Sequence, residues 1–309
     1  METPKISVVI PLGQRYESLA GICRGLRGAL SAAGPHEVIV VDDANGPQTR
    51  QELRSAAAEF PEVRIIRLQR RMGESAALAV GAEAARGELL ITLDPYLHVA
   101  VEELPKLLAP LANGTDLVCA WRRSHRGSGS WASRAFNGLA GWLSGVPVHD
   151  LNCRTRAMRR EVLRELPTYG DLHRFLPIFA ARRGYTWCEV QVAQQPGKRE
   201  LGSRDPRSYV NRLLDLVTLA FLTRFVKRPL HFFGLIGMAS LGLGLGLALY
   251  LAYTKVVLGL AIGHRPLLLL TVLLIVVGIQ IASVGLLGEL LVFTHARDVQ
   301  DYVVKEEVG

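Results

Sequence analysis

Two apolar runs near the end of the chain, Leu230 to Tyr253 and Leu267 to Phe293, limit the fold more than any other feature of the sequence. Each is longer than the roughly 20 residues a helix needs to cross the hydrocarbon core of a bilayer. The alternative, a pair of buried core helices, would need a large covering surface that the rest of the chain does not supply. Both runs are therefore read as transmembrane helices, and the short link "TKVVLGLAIGHRP" makes them an antiparallel hairpin. Gly242 and Gly246 stand four apart on the first run, a small-xxx-small spacing that either lets the helices approach closely or is flexible filler. Glu289, with Gln280 a few turns before it, interrupts the second run. An ionisable group there marks a functional position or lies at the interface.

Charge sets the orientation. Arg224, Lys227 and Arg228 crowd the start of the first span, and the positive-inside bias keeps them cytoplasmic, with both chain ends on that side. The opening "METPKISVVIPL" lacks the charged and apolar regions of an export signal. The expectation is a multi-pass protein of the plasma (inner) membrane with its first domain in the cytoplasm. Just before the hairpin, "RSYVNRLLDLVTLAFLTRFVKRP" sets Val210, Leu213, Leu214, Val217, Phe221 and Phe225 at helical spacing among cations. That pattern suits a helix lying on an anionic lipid surface, or a plain packing helix. The expected organisation is a soluble domain over 1–205, an amphipathic helix over 206–229, two spans within 230–295 and a cytoplasmic tail over 296–309.

The net charge of +8 does not point to nucleic acid, because no basic motif with interleaved aromatics accompanies it. Cys23, Cys119, Cys153 and Cys188 are scattered, without metal-site spacing, and read as buried thiols in a reducing compartment.

Ahead of the hairpin, "KISVVIPL", "HEVIVVDD", "VRIIRL" and "GELLITLD" are short β-branched or apolar runs, separated by helical stretches over Glu17 to Ala32, Gln48 to Glu59 and Ser75 to Arg86. Such alternation predicts an α/β fold with a doubly wound, mostly parallel sheet. Ligands of such sheets sit at the carboxyl ends of the strands. The residues there are Pro11 to Gln14, Asp42 and Asp43, Arg70 and Arg71, and Asp94, so two acidic corners and one basic corner should meet in one crevice. No GxGxxG or GxxxxGK[ST] stretch follows any strand, which argues against a dinucleotide or P-loop site.

The stretches "SVVIPL", "VIVVDD", "RMGESAALAVGAEAARGELLITLD", "CAWRRSHRG", "HDLNCRTRAMRREVL", "LHRFLPIFAARRG" and "RPLHFFG", followed by two spans, resemble in this order the family-2 glycosyltransferases that load a sugar onto polyprenyl phosphate. The dolichol-phosphate mannosyltransferase and bactoprenol glucosyltransferase group is the nearest. The resemblance implies a Rossmann-like GT-A domain binding a nucleotide sugar, and a membrane hairpin that brings the lipid phosphate to it. It places Asp42 and Asp43 at the base and ribose of the nucleotide sugar, with Pro11 and Arg71 beside them. Arg122, Arg123, Arg134 and Arg204 fall to the lipid phosphate. Asp94 matches the first acid of the family's Asp-x-Asp, and Asp150 with Cys153 matches its Asp-x-x-Cys stretch, so Asp94 and Asp150 are the candidate catalytic residues. Assembly into a homo-oligomer stays open.

The acceptor phosphate is already anionic, so no side chain need deprotonate it. What must be stabilised is the departing nucleoside diphosphate, by a metal ion or by fixed cations. Here the Asp-x-Asp reads Asp94-Pro95-Tyr96, with His98 where a glutamine is common. The family's Gly-Ser after the acidic pair reads Ala44-Asn45, its Tyr-Asn-Glu reads Gly13-Gln14-Arg15, and its Ser-Lys-Tyr reads Ser203-Arg204-Asp205. Three readings of the lone acid stand open. Asp94 holds Mg²⁺ or Mn²⁺ with the donor's phosphates, joined by His98 if the ion is Mn²⁺. Alternatively Arg15, Arg70 or Arg71 neutralises the diphosphate. In the third, the site has lost turnover and the chain is a membrane protein that binds a lipid or a partner.

Overall fold

The computed structural model describes residues 4–13, 16–123, 131–166, 172–195, 229–259 and 266–295, with Leu214 and Thr218. The chain divides into two compact units near residue 215. The expected boundary at 205 and nearly all of the expected surface helix fall outside the described residues.

The first unit is a seven-stranded sheet in the order β3-β2-β1-β4-β6-β5-β7. Its strands are β1 (Ile6–Leu12), β2 (His36–Asp42), β3 (Val63–Arg67), β4 (Leu89–Thr92), β5 (Leu117–Arg123), β6 (Arg156–Arg159) and β7 (Trp187–Ala193). The four strands read from the sequence form and pair in parallel. Strand β6 alone is reversed, antiparallel to both β4 and β5. Two reversals make β5, and β7 parallel to it, run the same way as β4. Strand β6 therefore begins at the edge where the others end, and carries the residues just before it to that edge.

Alternation along the strands divides the core. Ile6, Val8, Ile10 and Leu12 meet helices α1 (Leu19–Leu30), α2 (Pro47–Glu59) and α4 (Leu104–Ala112) on one face. Val9, Ile39 and Val41 meet α3 (Glu74–Ala84), α6 (Arg160–Glu165) and α7 (Leu176–Arg183) on the other. Helix α5 (Trp131–Ser144) follows β5. Burying strand residues on both faces is what a central parallel sheet requires, and explains why β1 and β2 are almost uninterrupted apolar runs.

The second unit is a pair of helices, α8 (Pro229–Val256) and α9 (Pro266–His295). Mean hydropathies of 2.0 and 2.8 over long windows, with mostly exposed side chains, suit helices facing lipid. Their contact is lined by glycines, though not by the expected ones. A Cβ on Gly242 or Gly246 would meet nothing within 4 Å, whereas one on Gly237 would stand 2.8 Å from the Gly278 carbonyl oxygen and one on Gly278 would stand 2.8 Å from the Leu241 nitrogen. Gly244 and Gly285 face the neighbouring helix as closely. The close approach comes from residues on the inward stripe, and the sequence spacing had singled out the outward one. Ser240 Oγ donates to the Leu274 carbonyl across the pair at 2.9 Å, a bond suited to a medium without water. Glu289 accepts a hydrogen bond from the Leu230 backbone N–H at 3.2 Å. It thus caps the first turn of α8, where an anion offsets the unpaired N–H groups. Gln280 is exposed on the outer side.

Candidate active site

The carboxyl ends of β1, β2, β3 and β4 lie along one edge of the sheet, where ligands of such folds bind, and each corner is fixed by its own local bonds. Asp42 ends β2 fully buried. Its Oδ1 accepts from the Asn45 backbone N–H at 3.0 Å and from Asn45 Nδ2 at 2.8 Å, while Oδ2 faces Arg67 Nε at 3.4 Å. Asn45 Nδ2 also reaches the Leu12 carbonyl at the end of β1. Asp42, expected at the base and ribose, is buried and uses its carboxylate to shape the turn at the end of β2. Asp43 is half-buried and accepts the Met72 and Gly73 N–H groups at 2.7 and 3.1 Å. It pins the loop that carries Arg70 and Arg71, both exposed at the rim. Pro11 is buried within β1. Arg15 and Arg204 lie outside the described residues.

After β4 the chain makes a tight turn. Leu97 is left-handed, φ 49°, and its N–H donates to the Asp94 carbonyl at 2.9 Å. This brings His98 back onto Asp94, where imidazole Nδ1 is hydrogen-bonded to Oδ2. Asp94 Oδ1 accepts the Tyr96 N–H at 3.1 Å. Burial pushes the Asp94 carboxyl up, but the His98 contact, Arg154 and the Tyr96 N–H together hold it below the usual carboxylate range. His98, expected as a metal ligand beside Asp94, turns its Nδ1 toward that acid and orients the carboxylate.

Two residues absent from the sequence reading complete this corner. Glu74 opens α3, after Gly73 at φ 89°. Its Oε2 lies 3.1 Å from Arg154 Nη1 and its Oε1 3.5 Å from His173 Nε2. His173, buried, is hydrogen-bonded through Nδ1 to Ser75 Oγ at 2.8 Å. Burial pushes the Glu74 carboxyl up; Arg154 opposes that and the neighbouring Asp94 reinforces it. Arg154 precedes β6, and its carbonyl accepts from Thr92 Oγ1 at 2.8 Å, which ties it to the end of β4.

Farther along the rim, Arg122 and Asp150 form a two-point pair, Nε to Oδ2 at 2.8 Å and Nη2 to Oδ1 at 2.9 Å. The structure thus joins a residue expected at the lipid phosphate to a residue expected in catalysis. His149 stacks on Trp121, ring centroids 4.3 Å apart, and its Nδ1 is hydrogen-bonded to Glu189 Oε2 at 2.6 Å. Arg123 ends β5 and Arg134 lies on α5; their side chains are outside what the structure describes. Cys23, Cys119 and Cys153 are buried thiols, as expected, and Cys188 is partly buried. Burial pushes Cys119 and Cys153 up to about 12, which makes them poor nucleophiles.

Among the described residues no group of three His, Cys, Asp or Glu side chains could hold a metal ion. Asp94 still has lone pairs beyond those its two partners use. One carboxylate is enough where a nucleotide's phosphates supply further oxygens, as Mg²⁺ commonly binds, so a divalent cation held by Asp94 and the diphosphate fits this corner and a cage of side chains does not.

A mixed sheet with its acids and arginines gathered at one edge defines the GT-A class of sugar-nucleotide-using folds. The chain belongs to glycosyl transferase family 2, whose model matches residues 7–182. It is 31% identical to a dodecaprenyl-phosphate galacturonate synthase of Rhizobium johnstonii, over 99% of this chain and 94% of that one. It is 32% identical to an undecaprenyl-phosphate 4-deoxy-4-formamido-L-arabinose transferase of Pseudomonas paraeruginosa, over 93% and 84% respectively. Among solved structures it is similar to glucosyl-3-phosphoglycerate synthase of Mycobacterium tuberculosis with Mn²⁺, UDP and glucosyl-3-phosphoglycerate, with a TM-score of 0.55 and 18% identity over 71% of this chain and 80% of that one. The same enzyme has been solved with Mg²⁺ and UDP.

Proposed function

We propose that the protein transfers a sugar from a nucleotide-sugar donor to a polyprenyl phosphate at the cytoplasmic face of the plasma membrane. The observation that carries this is the union in one chain of a GT-A crevice and a two-helix apolar hairpin, matched along almost its whole length by prenyl-phosphate sugar transferases. An oxygen of the lipid phosphate attacks the anomeric carbon, the bond from that carbon to the donor diphosphate breaks, and the nucleoside diphosphate leaves with the electron pair. No general base is required, which agrees with Asp150 being engaged by Arg122 and not held ready to take a proton.

Asp43 and Arg71 border the nucleotide, while Pro11 and Asp42 shape the floor beneath it. Arg122, Arg123, Arg134 and Arg204 serve the acceptor phosphate. Asp94 would hold a divalent cation, which would supply positive charge at the departing diphosphate, and His98 keeps the Asp94 carboxylate oriented.

The direct test uses the full chain in lipid nanodiscs with undecaprenyl phosphate, a panel of UDP-, GDP- and CDP-sugars, and Mn²⁺, Mg²⁺ or excess chelator. Formation of a prenyl-phosphate-linked sugar with at least one donor is expected. No product with any donor under any metal condition would refute the assignment.

A further inference from the structure

The crevice holds two acids near one another, Glu74 and Asp94, where an anionic diphosphate must bind. Left alone they would repel it. Arg154 offsets this: its guanidinium meets Glu74 at 3.1 Å, its backbone is tied to β4 two residues before Asp94, and its charge favours the ionised form of Asp94. Its side chain remains 41% exposed although its guanidinium is held by Glu74. Arg156, two positions on, shows the opposite design. It is buried, with its guanidinium spent on the backbone carbonyls of Leu151, His173 and Arg174. The first arginine of this pair is built for a ligand and the second for the fold.

We propose that Arg154 is a donor-binding residue that grips the diphosphate of the nucleotide sugar, adding fixed positive charge beside any cation that Asp94 holds, at a site where Asp94-Pro95-Tyr96 lacks the family's second acid. The inference rests on the transferase reading and adds to it a residue and a role. A guanidinium presents a planar fork of donors to phosphate oxygens and stays charged at any working pH. Placed where charge collects on the leaving group, and already oriented by Glu74, it needs little reorganisation during the reaction. Arg70 and Arg71, suggested by the sequence, are exposed on the loop after β3, whereas Arg154 is oriented by Glu74 beside Asp94.

The test is calorimetric binding of UDP against UMP, with GDP/GMP and CDP/CMP pairs in parallel, to the full chain in nanodiscs with excess chelator. Using the pair that the wild type binds best, the diphosphate should be preferred by about tenfold or more, as a charge-assisted hydrogen bond to phosphate implies. Arg154→Ala should bring that preference close to unity while leaving the monophosphate affinity unchanged, which also shows that the variant is folded. Arg154→Lys should keep part of the preference, a point charge replacing the fork. If Arg154→Ala retains the full preference, or weakens both nucleotides equally, the role given to Arg154 is wrong and the transferase reading stands. If the wild type binds nucleotide only when Mn²⁺ or Mg²⁺ is supplied, the role given to Arg154 is wrong, and if it binds none of the panel with metal or without, both fail together.

Discussion

Glu37, on β2 at the edge of the sheet away from the crevice, shows how one side chain holds the strands in place. It is buried and accepts from Ser7 Oγ at 2.7 Å, Arg64 Nη1 at 2.8 Å and the Arg86 N–H at 2.7 Å, linking β1, β2, β3 and the start of β4. Burial pushes its carboxyl up, but these three donors outweigh burial and leave it below the usual carboxylate range. A carboxyl lowered in the folded state stabilises the fold above its unfolded value of about 4.3, and that stability is lost as pH falls through the folded value. Glu37→Gln should lower stability at pH 7 by about 1–3 kcal/mol through the unmatched donors it leaves. Thermal unfolding of wild type and variant at pH 7 and near pH 4 checks this: the gap should narrow at the lower pH, and an equal gap at both would show that the charge is not what matters. At this scale the sequence revealed the corners that follow the apolar strands β2, β3 and β4, at Asp43, Arg71 and Asp94. It could not reveal Glu74 or Arg154, because their meeting depends on the reversal of β6, whose four residues "RAMR" carry no β-branched signal. A usable hint was present in Gly73, a helix-opening glycine directly before an acid.

Among the elements, the first four strands and the first three helices were legible because their apolar runs are clear and their ends are marked by Gly, Pro or acids. The hairpin was legible as two spans but not in its facing, since α8 is apolar all round and glycine spacing alone does not say which stripe turns inward. The structure decides it. Gly278→Leu would drive a side chain into the backbone at Leu241, where the nearest atom stands 2.8 Å from a Cβ, and should destabilise the pair by about 1–3 kcal/mol as overpacking does. Gly242→Leu, with nothing within 4 Å, should be close to neutral. Thermal melts of detergent-purified protein, read by monodispersity on size-exclusion chromatography, separate the two. Equal loss from both substitutions would mean that the helices pack through a different stripe.

For the whole molecule, the reading depends on which side of the membrane each part occupies, since a nucleotide sugar made in the cytoplasm meets only groups exposed there. The charges argue for one answer. Arg224, Lys227 and Arg228 precede α8, and Arg297 and Lys305 follow α9, while the link between the spans carries only His264 and Arg265 beside Lys255 at its start. Each cation held on the cytoplasmic side favours the orientation in which the link crosses outward and both flanks stay behind. Glu289 adds a local constraint, because its bond to the Leu230 N–H places the end of α9 level with the start of α8, so the two helices begin and end at the same depth. A phosphatase and fluorescent-protein reporter pair fused after Gly309 should therefore report the cytoplasm, and the same pair inserted after Gly259 should report the outside. The reverse pattern would place the crevice where no nucleotide sugar reaches it and would rule out the proposed reaction. Matching cytoplasmic signals at both positions would mean that the hairpin dips into the bilayer without crossing it.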